Sequence, residues 1–229
     1  MIRGLIFDFD GTLFDSMIIW ETAGEAYLRS VGKAPHEDLQ MALKPMSLLQ
    51  SAAYIKEQYA VALTVPQIMD GINRTVEDFY FHVVEPKPGV VEWLEELSAK
   101  GMKMCIATAT DRYQVEAALQ RCGMRSYFSG IFTCTQAGSG KDQPFVYRSA
   151  LAHLGTDRSS TMVVEDAFHA IHTAKADEFM TAAVYNVHET RQEQLREMAD
   201  VYLPDYHDMT AFWSFVSAEQ SKRVRMGGE

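Results

Sequence analysis

The chain has 229 residues, enough for one large domain or two modest ones. With 47% hydrophobic and 23% charged residues it can bury a sizeable core, which excludes global disorder. Its 21 Lys and Arg against 31 Asp and Glu give a net charge of −10, which argues against nucleic acid or a membrane surface as partner.

The first predicted element is the apolar run Leu5-Ile6-Phe7, read as a buried strand. It leads into Asp8-Phe9-Asp10-Gly11-Thr12, the loop at its carboxyl end, followed by Asp15-Ser16. In open α/β sheets that end is where ligands bind. Two carboxylates at the mouth of a buried strand are costly to desolvate unless a cation or hydrogen bonds compensate them. Helix capping accounts for one such Asp but not for both. The strand begins so close to residue 1 that no signal peptide is expected.

A helical insertion follows. Trp20, Ala23, Tyr27 and Val31 have helical spacing and end at Gly32. Leu48, Leu49, Ala52, Ile55 and Tyr59 mark a second helix, and Ile72, Val76, Phe79 and Tyr80, after Pro66, a third. Nothing from Met17 to Val84 reads as a strand pair, so a small helical unit is spliced into a sheet domain. The expected division is a core of residues 1–15 and 85–229 and an insertion of 16–84. The return through Pro86-Lys87-Pro88-Gly89 is stiff, and the two crossings together form a hinge.

From Val90 helix and strand alternate. The predicted strands are Met102 to Ala107, Gly130 to Cys134, Thr161 to Val164 and Phe179 to Tyr185, with helices between them. This pattern implies an α/β fold, a Rossmann-like parallel sheet with helices on both faces. Phe212, Trp213 and Phe215 are expected to dock on the core, and the polar residues from Ser217 on to form a frayed tail. Cys105, Cys122 and Cys134 form no C-x-x-C pair and read as free thiols, as expected in a reducing, cytoplasmic setting. No apolar run approaches the roughly 20 residues of a membrane span.

Polar residues stand at four strand ends or the loops after them: Asp8 with Asp10, Thr108, Lys141, and Glu165 with Asp166. In order, they resemble the four motifs of the haloacid dehalogenase-like superfamily, whose first motif, DxDGTLxDS, is filled at every fixed position. The resemblance spans nearly the whole chain. In the insertion it covers only position and helical character, those of the helical cap found in the superfamily's phosphatases and β-phosphoglucomutase-like members.

The resemblance implies a Mg²⁺-dependent phosphatase acting on a small phosphorylated metabolite, such as a sugar phosphate. Asp8 is then the nucleophile, giving an aspartyl-phosphate, and Asp10 the general acid and base. Thr108 and the amide of Ala109 bind the phosphoryl group, and Lys141 holds it together with Asp8. Asp8, the Asp10 carbonyl and Asp166 hold Mg²⁺, with Glu165 assisting directly or through water. Lys44, Arg112 and Trp20 are expected to contact substrate.

The residues alone also admit blander readings. Thr108 is an ordinary strand-end residue, Lys141 a solvated loop lysine, and Asp111 and Asp166 helix caps. His169 and His172 read as packing or surface residues. The family pattern is broken at Ala167, Ala170 and Asp177-Glu178, which are packing and turn positions.

A β-phosphoglucomutase-like phosphotransferase is the nearest rival. Such enzymes carry a His and an Arg where this chain has Trp20 and Leu48, which favours hydrolysis. A phosphonatase needs a cap lysine, for which Lys44 and Lys56 are the candidates. A signalling module of receiver type would place its acceptor Asp mid-chain and carry no cap. A non-catalytic binding protein would not need four intact motifs. The sequence leaves oligomeric state open.

Overall fold

The computed structural model describes residues 2–43 and 46–226, with side chains through residue 222. Lys44 therefore lies outside the described residues. Six parallel strands form one sheet in the order β3-β2-β1-β4-β5-β6. They are β1 (Gly4–Phe7), β2 (Lys103–Thr108), β3 (Ile131–Thr133), β4 (Thr161–Glu165), β5 (Met180–Val184) and β6 (Val201–Leu203).

β1 lies at the centre because its residues pack on both faces: Gly4 to Phe7 are all buried, as parallel strands covered by helices require. Phe7 pairs with Ile106 on one side and Val164 on the other. The Asp8 amide extends that ladder by one bond to the Val164 carbonyl, at 2.9 Å. The strand order reverses at β1, between β2 and β4, the topological position where sheets of this kind open a crevice.

Between β1 and β2 come α1 (Met17–Ser30), α2 (Leu39–Leu43), α3 (Leu48–Gln58), α4 (Val65–His82) and α5 (Val90–Ala99). The first four form the helical cap. Two of the cap helices start with reciprocal capping: Ser47 with Gln50 for α3, and Thr64 with Gln67 for α4, where Pro66 fills the first turn. The two crossings between cap and core are joined to each other. Asp15 donates to the Glu85 carbonyl and Lys87 to the Leu13 carbonyl, and Phe14 bridges to Pro86.

The remaining helices are α6 (Arg112–Arg121), α7 (Cys134–Ala137), α8 (Phe145–Leu154), α9 (Phe168–Ala176), α10 (Gln192–Met198) and α11 (Thr210–Met226). Two expectations are corrected here. The short β6, Val201–Leu203, was not foreseen, because three residues give too little alternation to read. The polar residues after Ser217 continue α11 to Met226 instead of fraying, since Phe212 and Val216 anchor that helix on the core. All three cysteines are free, with Cys105 and Cys134 buried. Among the described residues no helix is long and apolar enough to cross a membrane.

Candidate active site

The polar residues singled out at strand ends meet at one place. Asp8 and Asp10 follow β1, Thr108 ends β2, and Glu165 and Asp166 end β4. Lys141, from the loop between α7 and α8, reaches the same spot. Its Nζ donates to Asp8 Oδ1 and to Glu165 Oε1, the latter at 2.5 Å, and it is buried, not a solvated loop lysine. Burial works against the Lys141 ammonium, but the carboxylates of Asp8 and Glu165 overcome it and hold its pKa well above the ordinary value.

Glu165 is fully buried and fully engaged. Oε1 accepts from Lys141 and from the Tyr147 hydroxyl at 3.2 Å, while Oε2 accepts from the amides of Asp166 and Ala167 at 3.0 and 3.2 Å. Burial raises its pKa, but the Lys141 charge outweighs that and keeps it below the usual carboxylate range. With both oxygens engaged, Glu165 fixes Lys141 and the loop of Asp166.

Asp166 does not cap α9, as the simpler reading had it. The Phe168 amide donates instead to Glu189 at 2.9 Å. Asp166 turns into the site, where Thr12 donates to Oδ1 at 3.0 Å and the Asn186 amide donates to Oδ2. Burial, then the charge of Glu165, push it up to about 7. Burial and Glu165 also raise Asp8 well above its ordinary value, against the pull of Lys141. Gly11 permits this closeness: at φ +75° it has the left-handed backbone that glycine allows, and a Cβ there would run into Asp166 and Asn186.

Asp8, Glu165 and Asp166 each bring a carboxylate oxygen within 4.8 Å of one another. Such hard oxygen donors, with Asp8 and Asp166 raised by burial and by the charge of Glu165, fit a hard divalent cation such as Mg²⁺. Lys141 and the half-buried Lys87 alone do not balance them. Lys87 Nζ is spent on the carbonyls of Gly11, at 2.6 Å, and Tyr185, at 2.7 Å, which locks the first loop to the end of β5.

Asp10 lies apart from that cluster and is held by hydroxyls. Ser16 and Tyr80 donate to Oδ1, Ser16 at 2.6 Å, and Thr110 donates to Oδ2 at 2.5 Å. Thr108 is buried, and its Oγ1 accepts from the Thr110 amide at 3.0 Å. Ala109 between them is exposed. Asp111 sits at the N-cap position of α6 but makes no cap bond. Its carboxylate accepts from Asn73 at 2.6 Å and Thr135 at 3.0 Å.

The structure does not bring Arg112 and Trp20 to the carboxylates. Arg112 donates to the Ile131 carbonyl and to Gln136, at 3.2 Å, and pairs with Glu116, so β3 and α6 absorb it. Trp20 donates its indole N–H to Tyr80 at 2.7 Å. His169 and His172 are absent from the cation cluster, and His172 stacks on Phe168. Sequence reasoning missed Tyr80, Thr110, Tyr147, Lys87 and Asn186. Tyr80 was hidden by its helical spacing with core residues. Asn186, a polar residue just beyond an apolar strand, was open to the argument that found Asp166.

The arrangement of loops and polar strand ends is that of a known family. The haloacid dehalogenase-like hydrolase family matches residues 5–184, and the chain belongs to it. A phosphorylated-carbohydrates phosphatase of Thermotoga maritima is 24% identical over 175 residues, covering 76% of this chain and 81% of that one. The crystal structure of CbbY from Rhodobacter sphaeroides in complex with phosphate superposes with a TM-score of 0.81 at 20% identity, covering 92% of this chain and 97% of the other. A putative β-phosphoglucomutase from Thermotoga maritima has a TM-score of 0.69 at 20% identity, covering 96% and 99%. The chain is thus a hydrolase-class enzyme with this family's core and helical cap.

Proposed function

We propose that the chain is a Mg²⁺-dependent phosphatase that hydrolyses a small phosphorylated metabolite, of the sugar-phosphate class, through an aspartyl-phosphate. The observation that carries this reading is the setting of Asp8: a carboxylate beyond the central strand, with one oxygen on the buried Lys141 and a second carboxylate, Asp10, two residues on. The phosphatase name of the Thermotoga maritima relative supports it. We take residues 1–15 and 85–229 as the core and 16–84 as the cap.

In the first step an Asp8 oxygen attacks phosphorus and the bond to the leaving oxygen breaks. That oxygen keeps the electron pair and takes a proton from the Asp10 carboxyl. In the second step the Asp10 carboxylate takes a proton from water as the water oxygen attacks phosphorus. The bond to Asp8 breaks, and its electrons return to the carboxylate. Lys141 holds Asp8 in place and, with Thr108 and the Ala109 amide, receives the phosphoryl oxygens. Asp8, the Asp10 carbonyl and Asp166 would hold Mg²⁺, which neutralises charge on the transferring phosphoryl group. The cap limits access to small esters and excludes bulk water.

A mutase would have to hold a second phosphate while it delays water. Trp20 and Leu48 offer no charge for that, and Trp20 is committed to Tyr80. The test is incubation with β-glucose 1-phosphate and a trace of the 1,6-bisphosphate, beside a panel of small phosphate esters. Inorganic phosphate with no isomerised product is expected. Rapid formation of glucose 6-phosphate with little free phosphate would overturn hydrolysis.

A further inference from the structure

One of the two donors that hold Asp166 has partners that lead to the cap. Asn186, buried just beyond β5, donates from Nδ2 to Asp166 Oδ2, while Thr12 donates to Oδ1 at 3.0 Å. The other end of the Asn186 amide fixes its orientation. Oδ1 accepts the His188 backbone N–H at 3.0 Å, so Nδ2 is the atom turned to Asp166. The Asn186 carbonyl accepts from the Glu189 amide at 3.0 Å and from the side chain of Gln192, which ties this turn to the start of α10. The His188 ring reaches away from the core. Its Nδ1 lies 2.6 Å from Glu21 Oε1 on the cap helix α1. A carboxylate only accepts, so Nδ1 carries the hydrogen, and the bond does not require a charged ring. Glu21 and His188 belong to cap and core, so their contact holds only while the cap lies on the core.

From this geometry, and resting on the cation reading of the Asp8, Glu165 and Asp166 cluster above, we propose that Asn186 is a positioning residue for Asp166 as a Mg²⁺ ligand, and that the Glu21–His188 contact ties cap docking to Mg²⁺ affinity through it. One donor on each Asp166 oxygen leaves each a further acceptor position and stops the carboxylate from turning. The site leaves the amide little room for another pose, since even a Cβ on Gly11 would meet both Asn186 Nδ2 and Asp166 Oδ2. When the cap lifts, His188 loses Glu21, and the turn that aims Asn186 keeps only its bonds within the core. Asp166 is then held less firmly and a cation finds a less organised ligand. Coupling between two binding events is reciprocal, so Mg²⁺ in turn favours the docked cap.

The test is calorimetric titration of Mg²⁺ into the chelator-stripped full chain without substrate, with the unfolding temperature in chelator measured alongside. The proteins are wild type, Asn186→Ala, Glu21→Ala and the double variant. Asn186→Ala is expected to weaken Mg²⁺ binding by about tenfold to a hundredfold, the range lost when a ligand's hydrogen-bond support is removed. Glu21→Ala should weaken it several-fold while the unfolding temperature in chelator stays close to wild type, a split that a merely structural role would not give. The double variant should bind no worse than Asn186→Ala, because the cap contact acts through that amide. Glu21 is partly exposed, so Glu21→Ala decides the matter should Asn186→Ala not fold. Wild-type Mg²⁺ affinity in either single variant, or losses that add in the double variant, would overturn the proposal. Failure of the cation reading looks different, because the wild-type chain itself would then bind no Mg²⁺. Mg²⁺ binding with the expected losses but no ester hydrolysis would support the proposal and overturn only the phosphatase reading.

Discussion

Asp8, Glu165 and Asp166 are buried within a few ångströms of one another, and Lys141 is the residue that makes this tolerable. Taking one partner from a buried ion cluster costs about 3–5 kcal/mol, because the charges left behind stay unpaired in a poor solvent. Lys141→Ala is therefore expected to lose stability on that scale, read as a shift of the denaturant midpoint. It should also lose activity by about a hundredfold or more, since a charge directed at the transferring group is removed. A midpoint within about 0.5 kcal/mol of wild type would mean that the carboxylates do not depend on Lys141. Of the residues proposed to carry this chemistry, Asp8, Asp10, Glu165 and Asp166 were legible because each stands where an apolar strand ends, and Lys141 because of the motif its loop resembles. Their supports Tyr80 and Tyr147 were not, because a tyrosine in a helical stripe breaks nothing.

Among the elements, the turn between α9 and β5 is one place where the chain breaks the pattern it otherwise resembles. Asp177-Glu178 stands where Ala-Gly is common. Asp177 accepts ion pairs from Arg148, at 2.6 Å, and Arg158, at 3.2 Å, so its carboxylate ties α9 to α8 and the segment before β4. Glu178 keeps the left-handed turn at φ +64° without glycine. That conformation costs a non-glycine residue about 1 kcal/mol or more, and glycine's greater unfolded-state freedom offsets part of any relief. Glu178→Gly is expected to stabilise the chain by a few tenths to about 1 kcal/mol, measured by equilibrium unfolding, with activity unchanged. Destabilisation would show that the Glu178 side chain contributes more than its backbone costs. Helices and long strands were legible here because periodicity over ten or so residues survives local exceptions. The three-residue β6 and the continuation of α11 depended on partners distant in sequence.

For the whole molecule, the cation proposed to bind at the shared end of β1 and β4 would link stability to metal concentration. A ligand at about 100 times its Kd stabilises by about 2.7 kcal/mol, which for a chain of this size corresponds to a rise in Tm of about 5–10 °C. Adding Mg²⁺ to chelator-treated protein is expected to produce such a rise, and excess chelator to abolish turnover. Asp166→Ala should remove both effects, because it deletes a proposed ligand. Undiminished activity in chelator would exclude a metal role. The central claim is that phosphate passes through Asp8, and its most direct measurement is acid quenching during turnover followed by mass analysis of the peptides. A phosphoryl group on the peptide containing Asp8, acid-stable and base-labile as an acyl phosphate is, and absent from Asp8→Asn, is predicted. Continued hydrolysis by Asp8→Asn near the wild-type rate, with no phosphoryl group captured at Asp8, would contradict it.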